Sequence, residues 1–185
     1  MRIGIGYDVH RFNGPPAPVC RRRTATGRRG ARADKRPLKL GGVTIPSARG
    51  LSGHSDADVL LHAVADALLG AIGAPDLGEQ FPSSDRRWRN ADSRTFVKAA
   101  YAQVRRKGWS VENLDATVIA DAPRLVGHKI KMRRAISRLL GVDPACVSVK
   151  AKTTEGFSPA GSGIAAQAVV LLHDAAQRTL KKAKR

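Results

Sequence analysis

Three of the first 62 residues have side chains that commonly bind divalent metal ions, and their spacing could bring them together. Asp8 and His10 alternate in the segment RIGIGYDVHRF, and because side chains alternate along a strand, the two share one face. His62 follows in the apolar segment after GHSDAD, where the pattern predicts a helix. Two imidazoles and one carboxylate are the ligand set of an open zinc site, which keeps a fourth position for water or substrate. The three residues therefore predict a zinc centre with Lewis-acid chemistry.

Each of these features also has a purely structural interpretation. A D-x-H pair at the end of a strand often serves as a cap or a surface pair, and a lone helix histidine is commonly a half-buried polar residue. The combination favours the metal site, because polar groups in apolar segments cost about 1 to 3 kcal/mol each if they stay unpaired. Asp58 precedes His62 by one helical turn. We expect it to hold the second ring nitrogen of His62 and to fix the tautomer.

Two further motifs contain groups that suit a phosphorylated substrate. In VKAKTTEGF, the hydroxyls of Thr153 and Thr154 and the carboxylate of Glu155 follow a predicted strand. Such oxygens suit phosphates together with a hard cation such as Mg²⁺, although TTE is also a common turn after a strand. Asp76 and Gly78, in DLG, could accept the hydroxyls of a ribose, or they could simply form a turn.

Length and composition limit the class of protein. A chain of 185 residues with 42% hydrophobic residues is long enough to bury a core and fits one domain. Its longest apolar run, near residues 164–172, is far shorter than the roughly 20 residues of a membrane span, and no apolar signal segment opens the sequence. We expect a soluble, cytoplasmic protein. Cys20 and Cys146 are isolated and are predicted to be reduced and incidental.

The net charge of +18 is concentrated in two segments. Residues 20–39 contain nine Lys or Arg against one acid, and residues 178–185 add five cations, so the two segments carry +13. An arginine-rich loop can hold phosphates or RNA weakly, but a solvated insertion is the preferred interpretation and nucleic acid is not the expected partner. We predict one domain over residues 1–185, with a basic insertion at about 13–38 and a basic tail at about 174–185.

The periodicity of apolar residues predicts the order of helices and strands. Strands are expected at RIGIGYDVHRF, NLDATVIA, CVSVKAKT and GIAAQAVVLL, with an extended segment at LGGVTIP. Helices are expected at about residues 55–72 and 91–107 and at residues 129–140. Ser55 is the expected N-cap of the first helix. This order predicts an α/β (α+β) sandwich, in which helices cover one face of a mixed β-sheet.

Several motifs together resemble one known family. GYDVHRF, GGVTIP, GLSGHSDADVLLHAVADALLGAIG, DLGEQFPSSD, ADSR, VIADAPRL, MRRAISRLLG and VSVKAKTTEG resemble the 2-C-methyl-D-erythritol 2,4-cyclodiphosphate synthases of the non-mevalonate isoprenoid pathway. The resemblance implies a homotrimeric lyase with active sites at the subunit boundaries. Its substrate would be 4-diphosphocytidyl-2-C-methyl-D-erythritol 2-phosphate, a cytidine nucleotide. The 2-phosphate would attack the β-phosphorus, which releases CMP and closes a cyclic diphosphate.

The resemblance also implies roles for individual residues. It places zinc on Asp8, His10 and His62, and Mg²⁺ or Mn²⁺ on Glu155. His54 and Thr153 are the implied catalytic residues. The implied substrate contacts are Asp8, Val9, His10, His54, Ser55, Asp76, Leu77, Gly78, Phe81, Asp85, Ala120, Asp121, Ala122, Pro123, Arg124, Leu125, Val126, Lys152, Thr153, Thr154, Glu155 and Phe157. Within this set, residues 120–126 correspond to the cytosine pocket.

The sequence departs from the family pattern after Glu155. The loop GFSPAGSGI is two residues shorter than usual, and the family's Arg and Glu are replaced by Ala160 and Ser162. Ser83 also replaces an acid in FPSSD, whereas Asp85 is kept. A protein that binds a cytidine nucleotide or RNA without efficient catalysis is the alternative that these changes favour.

Overall fold

The structure is a computed structural model that describes residues 1–14, 36–156 and 162–176. Its strands are β1 (Arg2–Arg11), β2 (Leu38–Leu40), β3 (Val43–Ile45), β4 (Trp109–Ile119), β5 (Val147–Lys152) and β6 (Gly163–Asp174), and its α-helices are α1 (Val59–Ala71), α2 (Leu77–Gln80), α3 (Arg94–Arg106) and α4 (Lys129–Leu140). Single 3₁₀ turns lie at Arg86–Trp88 and Pro144–Cys146.

A four-stranded mixed sheet has the order β1-β6-β4-β5. β6 is antiparallel to both β1 and β4, and β5 is parallel to β4. The carboxyl ends of β1, β4 and β5 therefore meet at one edge of the sheet. β2 and β3 form a separate antiparallel hairpin. The predicted class, a mixed sheet with helices on one face, is confirmed.

The buried face of β1 is opposite to the one that its apolar residues suggest. Gly4 and Gly6 face α1 so closely that a Cβ on either would lie 2.0 Å from a helix carbonyl, that of Ala67 or Ala63. A side chain on either residue would push the helix away from the strand. Ile5 on the other face is 61% exposed, so glycine, rather than an apolar side chain, forms the contact between strand and helix.

Helix α1 is the centre of the core. It packs on β1 and β6 on one side and on α3 on the other, and 11 of its 13 residues are buried. A helix covered on two sides is apolar around most of its circumference. The site residue His62 is thus embedded in the core, and none of the described helices is long and apolar enough to span a membrane.

The predicted boundaries agree with the structure best for α4, which runs over Lys129–Leu140 and ends at the left-handed Gly141. The prediction for α1 was wrong at its start, because the helix begins at Val59 and its N-cap is Asp58 instead of Ser55. Strands β4 and β6 are longer than predicted. The predicted basic tail beyond residue 176 and most of the predicted insertion lie outside the described residues.

Gly50 lies between the two chain segments that flank residues 15–35. Its carbonyl accepts a hydrogen bond from the amide of Asn13 at 2.9 Å, and a Cβ on Gly50 would lie 2.2 Å from the carbonyl oxygen of Arg36. Asn13 and Arg36, which flank the range 15–35, therefore both lie next to Gly50.

Candidate metal centre and substrate cavity

The predicted metal ligands converge at the end of β1. Asp8 Oδ2 lies 2.9 Å from His10 Nε2 and 2.9 Å from His62 Nδ1, and the two ring nitrogens are 3.1 Å apart. The strand supplies Asp8 and His10 on the face that Gly4 and Gly6 bring against α1, and the helix supplies His62. Of the described residues, these three form the group suited to a metal ion.

The second nitrogen of His10 shows which atom faces the centre. His10 Nδ1 lies 2.8 Å from the carbonyl oxygen of Ser52, and a carbonyl can only accept a hydrogen bond. Nδ1 therefore carries the proton, and Nε2 directs its lone pair at Asp8 and His62. A metal ion fits this donor set, because a neutral imidazole and a carboxylate are both zinc ligands.

The electrostatics of the centre favour positive charge. Burial would raise the pKa of Asp8, but protonated His10 and His62 would donate to its carboxylate, and this keeps the pKa below its usual value. Burial would likewise lower the pKa of His10, but the hydrogen bond to Asp8 raises it. A cation among these three side chains is therefore stabilised, whether it is a proton or a metal ion.

The predicted role of Asp58 was wrong. Its carboxylate is the N-cap of α1, where it accepts from the amide of Leu61 at 3.1 Å and from the amides of Gly41 and Gly42 at 2.8 and 2.6 Å. A residue at the N-cap precedes the helical turns, so the i, i+4 spacing does not bring it beside His62. Its role is to join the turn between β2 and β3 to the start of α1.

Asp8, His10 and His62 form the candidate metal centre, which opens into a cavity of about 420 Å³. The residues that line this cavity are Asp8, His10, His54, Ser55, His62, Asp66, Leu77, Gly78, Phe81, Pro82, Ser83, Ser84, Trp88 and Phe96. One wall is aromatic, with Phe81 4.9 Å from Phe96 and 5.1 Å from Trp88 between ring centroids. The cavity thus combines metal ligands and hydroxyls with an apolar wall, as expected of a small-molecule site.

A second cavity, of about 800 Å³, adjoins the first through His54. Four cationic side chains line it, those of Arg36, Lys39, Arg86 and Arg89. His54 Nε2 lies 3.2 Å from the carbonyl oxygen of Asp85, so this nitrogen donates and Nδ1 is left for another contact. The cationic lining makes the region beside the metal centre attractive to anions.

Among the predicted substrate contacts in residues 8–85, three do not line the cavity at the metal centre. Val9 is 56% exposed and lies on the opposite face of β1 from Asp8 and His10. Asp76 caps α2 through the amide of Glu79 at 2.8 Å. Asp85 caps the 3₁₀ turn, and its carboxylate binds Arg87 at 2.6 and 2.9 Å.

A second group of predicted residues lies at the ends of β4 and β5. Thr154 donates from its amide and hydroxyl to Asp121 at 2.8 and 2.9 Å, which ties the segment after β5 to the loop 120–126. Thr153 donates to Glu155, which is exposed. None of residues 120–126 and 152–155 lines the cavity at the metal centre. The predicted Phe157 lies outside the described residues.

The sequence analysis did not identify two polar residues of the centre, Asp66 and Ser93. Asp66 lines the cavity and accepts from the amide of Leu77 at 2.8 Å, and its position four residues after His62 was the available signal. Ser93 Oγ lies 2.9 Å from His62 Nε2. Because Ser93 is 31 positions from His62 in sequence, no local spacing could have indicated that contact.

The fold and the site define an α+β protein with a two-histidine, one-carboxylate centre at the edge of a mixed sheet. The YgbB family model matches residues 1–173. The 2-C-methyl-D-erythritol 2,4-cyclodiphosphate synthase of Geobacillus kaustophilus (strain HTA426) is 49% identical over 174 residues, which cover 93% of this chain and 98% of that protein. The chain therefore belongs to the YgbB family.

Solved structures agree with this assignment. A 2C-methyl-D-erythritol-2,4-cyclodiphosphate synthase structure matches with a TM-score of 0.77 and 36% identity, over 93% of this chain and all of that one. The Plasmodium falciparum IspF structure in complex with CDP matches with a TM-score of 0.73 and 30% identity, over 94% of this chain and 96% of that one.

Proposed function

We propose that this chain is a 2-C-methyl-D-erythritol 2,4-cyclodiphosphate synthase. It converts 4-diphosphocytidyl-2-C-methyl-D-erythritol 2-phosphate to the 2,4-cyclodiphosphate and releases CMP. The observation that carries the proposal is the convergence of Asp8, His10 and His62 on one point inside a cavity that His54 and Ser55 also line. The membership of the YgbB family and the names of its relatives supply the reaction.

The reaction needs charge neutralisation more than a protein nucleophile. One phosphate must approach another, and each pair of unit charges at about 4 Å costs roughly 4 kcal/mol at an effective dielectric constant near 20. The attacking phosphate oxygen is already ionised and belongs to the same molecule as its target, so the protein has to fold the substrate for in-line attack. A Ser-His-Asp arrangement is therefore unnecessary.

Asp8, His10 and His62 would hold zinc, and Glu155 would hold Mg²⁺ or Mn²⁺. Bound there, the two ions would supply Lewis-acid stabilisation of the phosphate oxygens. The chain's own residues orient the substrate. His54 is fixed through Nε2, and a proton on Nδ1 would let the ring donate to a phosphate oxygen. The aromatic wall of the cavity would exclude water from the methylerythritol portion.

The second half of the site comes from the edge of the sheet formed by β4 and β5. β5 lies three strand spacings from β1 in the sheet order, which is roughly 14 Å. Residues 120–126 would hold the cytosine, and Thr153, Thr154 and Glu155 the diphosphate. This separation within one chain supports an active site that two subunits complete, with zinc on one and the nucleotide contacts on the other.

The homotrimer is supported by the open face of the sheet. Ile3, Ile5, Tyr7 and Val9 are between 56% and 70% exposed, and their partners on β6 include Leu171 and Val169. A continuous apolar face of this kind marks a protein interface. Association through it would bring the sheet edges of neighbouring chains together.

CMP release tests the proposal. The purified protein is incubated with the diphosphocytidyl substrate, Zn²⁺ and Mg²⁺, and the products are followed by phosphorus NMR. We expect CMP and the cyclic diphosphate in equal amounts. If a zinc-loaded, correctly folded protein releases no CMP at any enzyme concentration, the chain is not this synthase. The alternative, a nucleotide or RNA binder, would then gain support.

A further inference from the structure

The second ring nitrogen of His62 contacts two buried hydroxyls. Nε2 lies 2.9 Å from Ser93 Oγ and 3.1 Å from Ser55 Oγ. Ser93 is fully buried, and Ser55 and His62 are 5% and 8% exposed. With so little access to water, the protein's own hydrogen bonds decide which atom carries each proton.

The proton of the Ser93 hydroxyl is committed to Asp56. Ser93 Oγ lies 2.5 Å from Asp56 Oδ1, and the amide of Ser93 also donates to that oxygen, at 3.2 Å. A carboxylate can only accept, so the hydroxyl donates to it. Asp56 is itself held by Lys39, whose Nζ lies 3.1 Å from Oδ2. Ser93 therefore presents a lone pair to His62.

This direction of donation decides the tautomer of His62. A lone pair on Nε2 facing the lone pair of Ser93 at 2.9 Å would be repulsive, so Nε2 carries the proton. Ser55 Oγ keeps one lone pair after it accepts from the amide of Ala57 at 3.2 Å, so it offers Nε2 a second acceptor when its own hydroxyl turns to Ser93 Oγ, 3.5 Å away. In the neutral ring the lone pair is then on Nδ1, 2.9 Å from Asp8 Oδ2, where a metal ion held by both atoms would remove their repulsion.

We infer that Ser93, oriented by Asp56, is the positioning residue that fixes Nδ1 of His62 as the metal-binding nitrogen. The inference rests on the proposed function only in taking Asp8, His10 and His62 as the ligands of a divalent cation. The main-chain carbonyl of Ser52 does the same for His10. Each imidazole thus has one nitrogen that carries a proton and donates it to a specific protein acceptor, and one nitrogen whose lone pair faces the centre.

Zinc affinity tests the inference without any substrate. We expect Ser93→Ala to raise the dissociation constant for zinc, measured by competition with a chelator, by about 10- to 100-fold. Ser137→Ala is the matched control, since Ser137 is also buried but its hydroxyl donates to the carbonyl of Arg134 in α4 at 3.0 Å. The control should leave zinc affinity unchanged. Ser93→Thr keeps the hydroxyl and should recover most of the affinity.

Nitrogen-15 NMR of the zinc-loaded, unsubstituted protein gives an independent reading. We expect the His62 ring to carry its proton on Nε2, in a slowly exchanging resonance, and we expect that exchange to become fast in Ser93→Ala. The inference is overturned if Ser93→Ala binds zinc as tightly as the unsubstituted protein, or if the His62 Nε2 proton exchanges rapidly before any substitution. The second outcome decides the matter even if Ser93→Ala does not fold. CMP release by the unsubstituted protein is scored separately, so a failure of the proposed function remains distinguishable.

Discussion

The position of the His62 ring depends on more elements of the fold than the positions of the other two proposed metal ligands do. It projects from the core helix α1, and its ring contacts Asp8 of β1 on one side and Ser93, the N-cap residue of α3, on the other. Its ring centroid is also 6.0 Å from that of Phe96. Asp8 and His10 come from one strand and stay on one face whatever happens to the helix. His62 is therefore the ligand that joins the centre to the core.

Removal of the His62 imidazole should empty the metal centre. We expect His62→Ala to lower the zinc content clearly below one ion per chain, since two ligands remain of the three that an open zinc site uses. Metal analysis of the purified protein measures this. His128→Ala, at the start of α4 and outside the cavity, should keep full zinc content. Unchanged zinc in His62→Ala would remove His62 from the ligand set.

The contact between β1 and α1 is the element-level feature that places the metal ligands. It depends on the absence of side chains at Gly4 and Gly6, which lets the strand approach the helix backbone directly. The same close approach brings Asp8 and His10, on the same face of the strand, within reach of His62. Packing and ligand geometry are thus two results of one contact.

A methyl group at this contact should be strongly destabilising. The Cβ in Gly6→Ala would lie 2.0 Å from the carbonyl oxygen of Ala63, and we expect a loss of about 3 kcal/mol in the free energy of unfolding. Gly70→Ala is the control, because its Cβ would meet only the Ile5 carbonyl at 3.6 Å. Alanine is the better helix former by about 0.5 to 1 kcal/mol, so the control should be neutral or stabilising. Thermal unfolding compares the two, and equal midpoints would contradict this account of the packing.

For the whole molecule, the two faces of the sheet differ in what covers them. The described helices bury one face. The other presents the apolar side chains of β1 together with the ion pair Asp115–Lys150, at 2.5 Å, and the contact between His173 Nδ1 and Glu112 Oε2, at 2.9 Å. The apolar side chains are concentrated on β1 and β6, so the proposed contact between subunits is expected there.

A charge on this face should prevent assembly. We expect Ile5→Lys to convert the proposed trimer to single chains and to lower CMP release at least about tenfold, because burying an unpaired ammonium is costly. Ile130→Lys is the control, since Ile130 on α4 is 58% exposed and Ile5 is 61% exposed. Sedimentation measures the mass of each variant. A trimer that persists in Ile5→Lys would place the interface elsewhere.

The sequence by itself determined which three residues form the candidate metal-binding group, the mixed α/β order and the family. These follow from local signals, namely the period of two that puts Asp8 and His10 on one face, the apolar run of α1, and the ordered motifs of the resemblance. Helix α4 was predicted with both its first and last residues correct, because Gly141 after its end occupies a left-handed position that other residues rarely adopt.

Only the tertiary structure decided which face of β1 is buried, what Asp58 does and which group holds His62. A glycine in a strand does not by itself indicate that a helix packs on its face. The alternation of residues therefore could not show that the apolar face of β1 is the exposed one. Ser93 contacts the ring of His62 and Asp58 does not, because hydrogen bonds depend on distance and direction in space. Helical spacing suggested Asp58, whereas the fold brings Ser93, 31 positions away in sequence, to the ring of His62.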